Sequence, residues 1–244
     1  MQKSRPIVLP LFAALSVLVI GLVPISSYAG FDIAFTVTAL LAFISVGIVV
    51  ALTWTRQQHH DHRFGPANSV TFLRAVLVCW IAGAIGQAGS DWASWFIVGI
   101  GSIALALDGV DGWVARKYRC ASDFGARFDQ EIDALLILIL SVLAVQFGKA
   151  GAWVLLAGLL RYLFIAAAVI VPKLAAPLPP SKRRQTVCVT TVIALILCLA
   201  PTIEPDLSNL IAALAVATLA LSFAVDTVWL LRSGPARQGK ENPC

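Results

Sequence analysis

Asp108-Gly109-Val110-Asp111-Gly112-Trp113-Val114-Ala115-Arg116, eight further residues, then Gly125-Ala126-Arg127-Phe128-Asp129-Gln130-Glu131-Ile132-Asp133 decide how this chain is read. Two aspartates stand on either side of a short polar loop, and each pair adjoins a long apolar run. A carboxylate at the edge of hydrocarbon is costly and needs a compensating partner. On a helix, Asp108 and Asp111 lie about 60° apart around the axis, and Asp129 and Asp133 about 40° apart. Each pair therefore shows one carboxylate-bearing face, and the loop is short enough to bring the two faces together. Four converging acids without enough base to neutralise them make a cation site. With oxygen as the only donor, the cation is a hard one: Mg²⁺, Mn²⁺ or Ca²⁺ rather than zinc.

The small residues define what else must fit. Gly112 and Ala115 fall on the face of Asp108 and Asp111, and Gly125 lies one turn before Asp129. Removing side chains there lets a ligand approach the helix backbone closely. Arg116 follows on the same side and can fork onto phosphate oxygens. An acid cluster, a flat glycine/alanine shelf and an arginine suit a metal-bridged diphosphate carrying a planar base.

Composition supplies the surroundings. The chain has 244 residues, 59% of them hydrophobic and only 13% charged, with a mean hydropathy of +0.87, which excludes an ordinary soluble globule. Eight apolar runs approach membrane-spanning length, at about 7–27, 31–54, 69–88, 92–112, 130–147, 151–171, 187–203 and 207–231. The reading is an all-α, polytopic membrane helix bundle. With the N-terminus inside, fifteen of the eighteen Lys and Arg residues fall in cytoplasmic segments, Lys149 alone falls outside, and Arg74 and Arg161 lie within helices. The positive-inside rule then turns the aspartates toward the cytoplasm. The net charge of +5 reads as topology plus attraction to anionic lipid, not as nucleic-acid binding. Five scattered cysteines without a CxxC spacing, in a reducing compartment, read as free thiols.

The remaining segments carry weaker signals. Lys3, Arg5, an apolar run and Ser27-Tyr28-Ala29-Gly30 resemble a secretory signal, but the run is long for one and reads as a retained helix. His59, His60 and His62 sit in a polar loop and read as hydrated surface. Arg161 falls in mid-helix, where a cation needs a polar cavity to face. Asp226 reads as an interfacial or ion-paired acid outside the site. The tail 233–244 reads as disordered.

The spacing D-x2-D-G-x2-A-R-x8-G-x3-D-x3-D resembles the signature of the CDP-alcohol phosphotransferase family, with every fixed position present. Pro66-Ala67-Asn68-Ser69-Val70-Thr71-Phe72-Leu73-Arg74 also resembles the family's P-N-x-x-T-x-x-R opening, with Ala67 inserted. The resemblance implies a six-helix core over residues 65–232, which leaves two extra N-terminal transmembrane helices and a cytoplasmic loop in residues 1–64. It implies phosphatidyl transfer from CDP-diacylglycerol to a small alcohol, with CMP released. Two ions, Mg²⁺ or Mn²⁺, are then expected on Asp108, Asp111, Asp129 and Asp133, with Asp133 also the general base. Gly112, Ala115, Arg116, Gly125, Asn68, Thr71 and Arg74 are the expected CDP-lipid contacts.

Arg161, Lys182, Arg183 and Arg184 point to an acceptor carrying its own phosphate. Glycerol 3-phosphate is the first choice, with an inositol phosphate, serine or another alcohol as alternatives. The family further implies a homodimer, and the expected location is a bacterial inner membrane. The rival class is a divalent-cation transporter, since intramembrane acids also mark ion pathways. Against it, all four acids gather at one face, with no matching acid in the outer halves.

Overall fold

The computed structural model describes residues 16–18, 20–21, 31–56, 66–118, 123–176, 178–179 and 181–232, with the side chains at 49, 51–56, 66–68, 111–118 and 123–124 left aside. Among the described residues the α-helices are α1 (Ile33–Arg56), α2 (Pro66–Gly83), α3 (Asp91–Tyr118), α4 (Asp123–Gln146), α5 (Leu155–Ile170), α6 (Lys182–Leu199) and α7 (Pro205–Arg232). Helical backbone also occurs at 16–18 and 20–21, and two 3₁₀ turns, Ala152–Val154 and Pro172–Ala175, bracket α5. Among the described residues there is no strand. In hydrocarbon only helices or closed barrels satisfy their own backbone, so the all-helical outcome follows from composition.

The bundle is a polytopic membrane fold, with an apolar core and an apolar surface as well. Large apolar side chains stay exposed along α1 (Leu41, Ile44, Ile48), α5 (Leu156, Leu159, Leu163) and α7 (Leu210, Leu214, Leu221). Such continuous apolar surface is a lipid-facing surface. Among the described residues, three helical stretches are long and apolar enough to cross a membrane, Asp91–Val110, Ala152–Ile170 and Pro205–Arg232, with shorter apolar stretches at Ile33–Ile48 and Ser69–Gly83.

The eight expected spans are therefore uneven, and the reason is where the charges fall. Helix α4 begins at Asp123, well before the expected 130, and its first turns carry Arg127, Asp129, Glu131 and Asp133. From Ala134 to Gln146 it offers about 20 Å of apolar helix, less than the ~30 Å of a hydrocarbon core. Helix α6 likewise opens on Lys182, Arg183 and Arg184. Helix α3 does not stop at the aspartates but continues to Tyr118. The histidines His59, His60 and His62 lie outside the described residues, as does the tail.

Helix α4 is the hub, packed against α2, α5 and α6. Phe128, Ile132, Leu136, Leu140 and Leu143, one stripe at helical spacing, are almost fully buried. At the opposite end from the aspartates, Gln146 ties α4 to α2, donating to the Ala84 and Gln87 carbonyls and accepting from the Gly86 amide. Helix α1 docks on α2, where Thr38 donates to the Gly83 carbonyl and Phe35 fills the space a Gly83 side chain would take. Lys149 caps the α6–α7 turn by donating to the Ala200 and Ile203 carbonyls. The described cysteines, Cys79, Cys188 and Cys198, are free thiols.

The α4–α5 contact is closest at Gly158. A Cβ there would lie 2.5 Å from the Leu138 Cα, a backbone atom that cannot swing aside. Gly158→Ala is expected to destabilise the protein by about 1–3 kcal/mol, an overpacking cost. Gly99→Ala, where a Cβ meets nothing within 4 Å, should be close to neutral. Thermal unfolding in detergent checks both, and equal losses would contradict the packing account.

Candidate active site

Three of the four signature aspartates converge, and an arginine joins them. Asp108 reaches in from α3, and Asp129 and Asp133 from α4. One oxygen from each lies within 4.8 Å of the others. Arg74, on α2 and only 1% exposed, extends its guanidinium among them. Its Nη1 lies 2.9 Å from Asp108 Oδ1 and donates to Asp129 Oδ1, while Nη2 donates to Asp133 Oδ1 at 2.5 Å. One fork thus ties three helices together through charge-assisted bonds.

Arg74, an expected CDP-lipid contact, also holds the carboxylates themselves. Among the described residues, one guanidinium faces three carboxylates, an excess of acid. Those carboxylates are 18%, 34% and 24% exposed, so they face an opening rather than a sealed core. The donor set is all oxygen, close-set and in negative excess, which fits a hard divalent cation. An incoming ion would compete with the guanidinium for the same oxygens.

The other expected residues divide into three groups. Asp111, Gly112, Ala115 and Arg116 are helical in α3, and Asn68 is helical in α2, but their side chains lie outside those described. Thr71 is buried one turn before Arg74, and Gly125 sits half-buried one turn before Asp129. A cavity of about 650 Å³ lies among α4, α5, α6 and α7, and Asp108, Asp129 and Asp133 are part of its lining.

Of the four expected acceptor residues, Arg161 and Arg184 line this cavity, whereas Lys182 and Arg183 are not among its lining. Arg161 holds Glu131 through two bonds, Nη2 to Oε1 at 2.5 Å and Nε to Oε2 at 3.4 Å. Arg183 donates to Asp226 Oδ1, Arg184 Nη1 stands 3.7 Å from the same oxygen, and Arg184 Nη2 donates to the Pro179 carbonyl.

Three residues were not assigned to the site by sequence. Asp226 lines the cavity, although it was set aside as interfacial. A lone acid in an apolar helix marks an inward-facing group as surely as Arg161 does, so the signal was there. Glu131 was hidden because it falls between two signature aspartates, on the flank that faces α5. Cys188 lines the cavity with its Sγ 3.8 Å from Asp133 Oδ2, and nothing in the sequence pairs them.

Comparison with known proteins agrees with this geometry. The family model for CDP-alcohol phosphatidyltransferase matches residues 64–225, more than half of the chain. A CDP-diacylglycerol--glycerol-3-phosphate 3-phosphatidyltransferase of Cereibacter sphaeroides is 28% identical over 89 residues, covering 36% of this chain and 40% of that protein. The chain thus matches well under half the length of that relative. No solved structure matches the chain.

Replacing Arg74 exposes what it balances. Arg74→Gln should cost about 2–3 kcal/mol in the presence of a chelator, less than a fully buried pair because the carboxylates are partly solvated. Millimolar Mn²⁺ or Mg²⁺ should restore part of that loss and stabilise the variant more than the parent. Thermal unfolding with and without the metal measures the difference. An identical metal response in both proteins would argue against the carboxylates as ligands.

Proposed function

This chain belongs to the CDP-alcohol phosphatidyltransferase family, and from that premise we propose that it moves a phosphatidyl group from CDP-diacylglycerol to a small alcohol, releasing CMP. The observation that carries the reading is the convergence of Asp108, Asp129 and Asp133 at the head of a cavity with room for an acceptor. The oxygen of the acceptor bonds to the phosphatidyl phosphorus, and the bond from that phosphorus to the CMP oxygen breaks. The acceptor loses its proton and CMP leaves with the bridging oxygen.

Each residue has a share of this chemistry. Divalent ions held by Asp108, Asp129 and Asp133, with Asp111 as a fourth ligand, would supply neutralisation of the charge developing on the leaving diphosphate oxygen. Asp133 is the base that takes the acceptor proton. Its Oδ1 is held by Arg74, so the carboxylate is oriented, while Oδ2 faces Cys188 and the cavity. Positioning of this kind supplies much of the rate in phosphoryl transfer. Gly112, Ala115, Arg116, Gly125, Asn68, Thr71 and Arg74 form the proposed cytidine and diphosphate contacts. The polar wall of Gln130, Ser181, Gln185 and Ser222 suits a hydroxyl-bearing acceptor.

For the acceptor we favour glycerol 3-phosphate. Arg161 and Arg184 in the wall can receive its phosphate, and the name of the Cereibacter sphaeroides relative specifies the same substrate. The enzyme is proposed to act as a homodimer in a bacterial inner membrane, with the aspartates toward the cytoplasm. The one-sided distribution of Lys and Arg supports that orientation.

The test is to reconstitute the purified protein with labelled CDP-diacylglycerol and Mg²⁺ or Mn²⁺, then screen alcohols for CMP release. Glycerol 3-phosphate is expected to give turnover. Asp133→Asn should lower the rate about 10²-fold or more while CDP-lipid binding persists. Retained turnover in that variant would remove Asp133 as the base. Metal-dependent ion flux without CMP formation would favour the transporter.

A further inference from the structure

The acceptor end of the cavity has an internal occupant for its cations. Asp226, on α7, is 8% exposed and lines the cavity. Its Oδ1 takes the Arg183 guanidinium and lies 3.7 Å from Arg184 Nη1. Arg183, by contrast, is not part of the lining. The face presented to a ligand therefore includes a carboxylate, with one guanidinium drawn behind it. Arg161 across the cavity is matched in the same way by Glu131. A phosphate entering here meets arginines already bonded to carboxylates and a like charge in the wall.

We infer that Asp226 is a specificity-determining residue of the acceptor site: by holding Arg183 and Arg184 it makes an anionic acceptor compete with an internal carboxylate. The inference rests on the acceptor reading proposed above. A neutral alcohol pays neither the competition nor the repulsion, so Asp226 narrows the advantage of a phosphorylated acceptor over an uncharged one. Juxtaposed like charges act as selectors against a partner in just this manner. The arginine pair is 38% and 29% exposed, so solvent can take over part of its solvation when the carboxylate is exchanged.

The experiment uses the full chain in detergent, titrated with glycerol 3-phosphate or inorganic phosphate and read by thermal shift, beside CMP release with glycerol 3-phosphate and with glycerol. Asp226→Asn is expected to bind the phosphate compounds about fivefold tighter, and to raise the preference for glycerol 3-phosphate over glycerol by a similar factor. Asp226→Glu should return both toward the parent values. Should Asp226→Asn fail to fold, Arg183→Gln serves instead, with phosphate binding expected about fivefold weaker. Unchanged or weaker phosphate binding in a well-folded Asp226→Asn overturns the inference. So does Arg183→Gln without loss, or the absence of phosphate binding in every form. Failure of CMP release with all alcohols would instead overturn the proposed function, and the titration would still judge Asp226.

Discussion

Charge balance around one guanidinium organises this molecule. Arg74 is buried on α2 and bonded to carboxylates on α3 and α4, so the helices that carry the signature are clamped at their polar ends. Neither side of the arrangement is stable by itself in a low-dielectric bundle, where an unpaired ion costs several kcal/mol or more. At the other end the same two helices, α2 and α4, are joined by Gln146. Between these polar ties the packing is apolar and close, down to the missing side chain at Gly158.

The cavity follows from where that clamp stops. Arg74 spans α2 to α4, and the carboxylates it holds open toward a cavity lined by α5, α6 and α7. Two further ion pairs each place one member in the cavity wall, Arg161 held by Glu131 and Asp226 held by Arg183. Each links two helices, α5 to α4 and α6 to α7. The site thus brings charges of both signs together within an apolar fold.

Much of this was legible without coordinates. That Asp108, Asp129 and Asp133 meet follows from helical spacing and a short connection between their helices, although it is α2, with Arg74, that stands between the two and joins them. The all-helical membrane class follows from apolar runs and the need to satisfy backbone groups in hydrocarbon. The position of Arg161 beside a cavity follows from the cost of a mid-helix cation. The expected spans were less faithful at α4 and α6. Hydropathy averages a window, and cannot tell a charged turn that faces a bundle interior from one that lies in water.

What the sequence by itself determined was the kind of fold, the family and the acids that meet, because these depend on local periodicity and on residues close along the chain. What only the tertiary structure decided was which cation each acid faces. Arg74 with Asp133, Arg161 with Glu131 and Arg183 with Asp226 are separated by 59, 30 and 43 positions. Pairing over such distances is set by the rotation of each helix about its axis and by which helices become neighbours. Those are properties of the packed bundle, and no one-dimensional pattern encodes them.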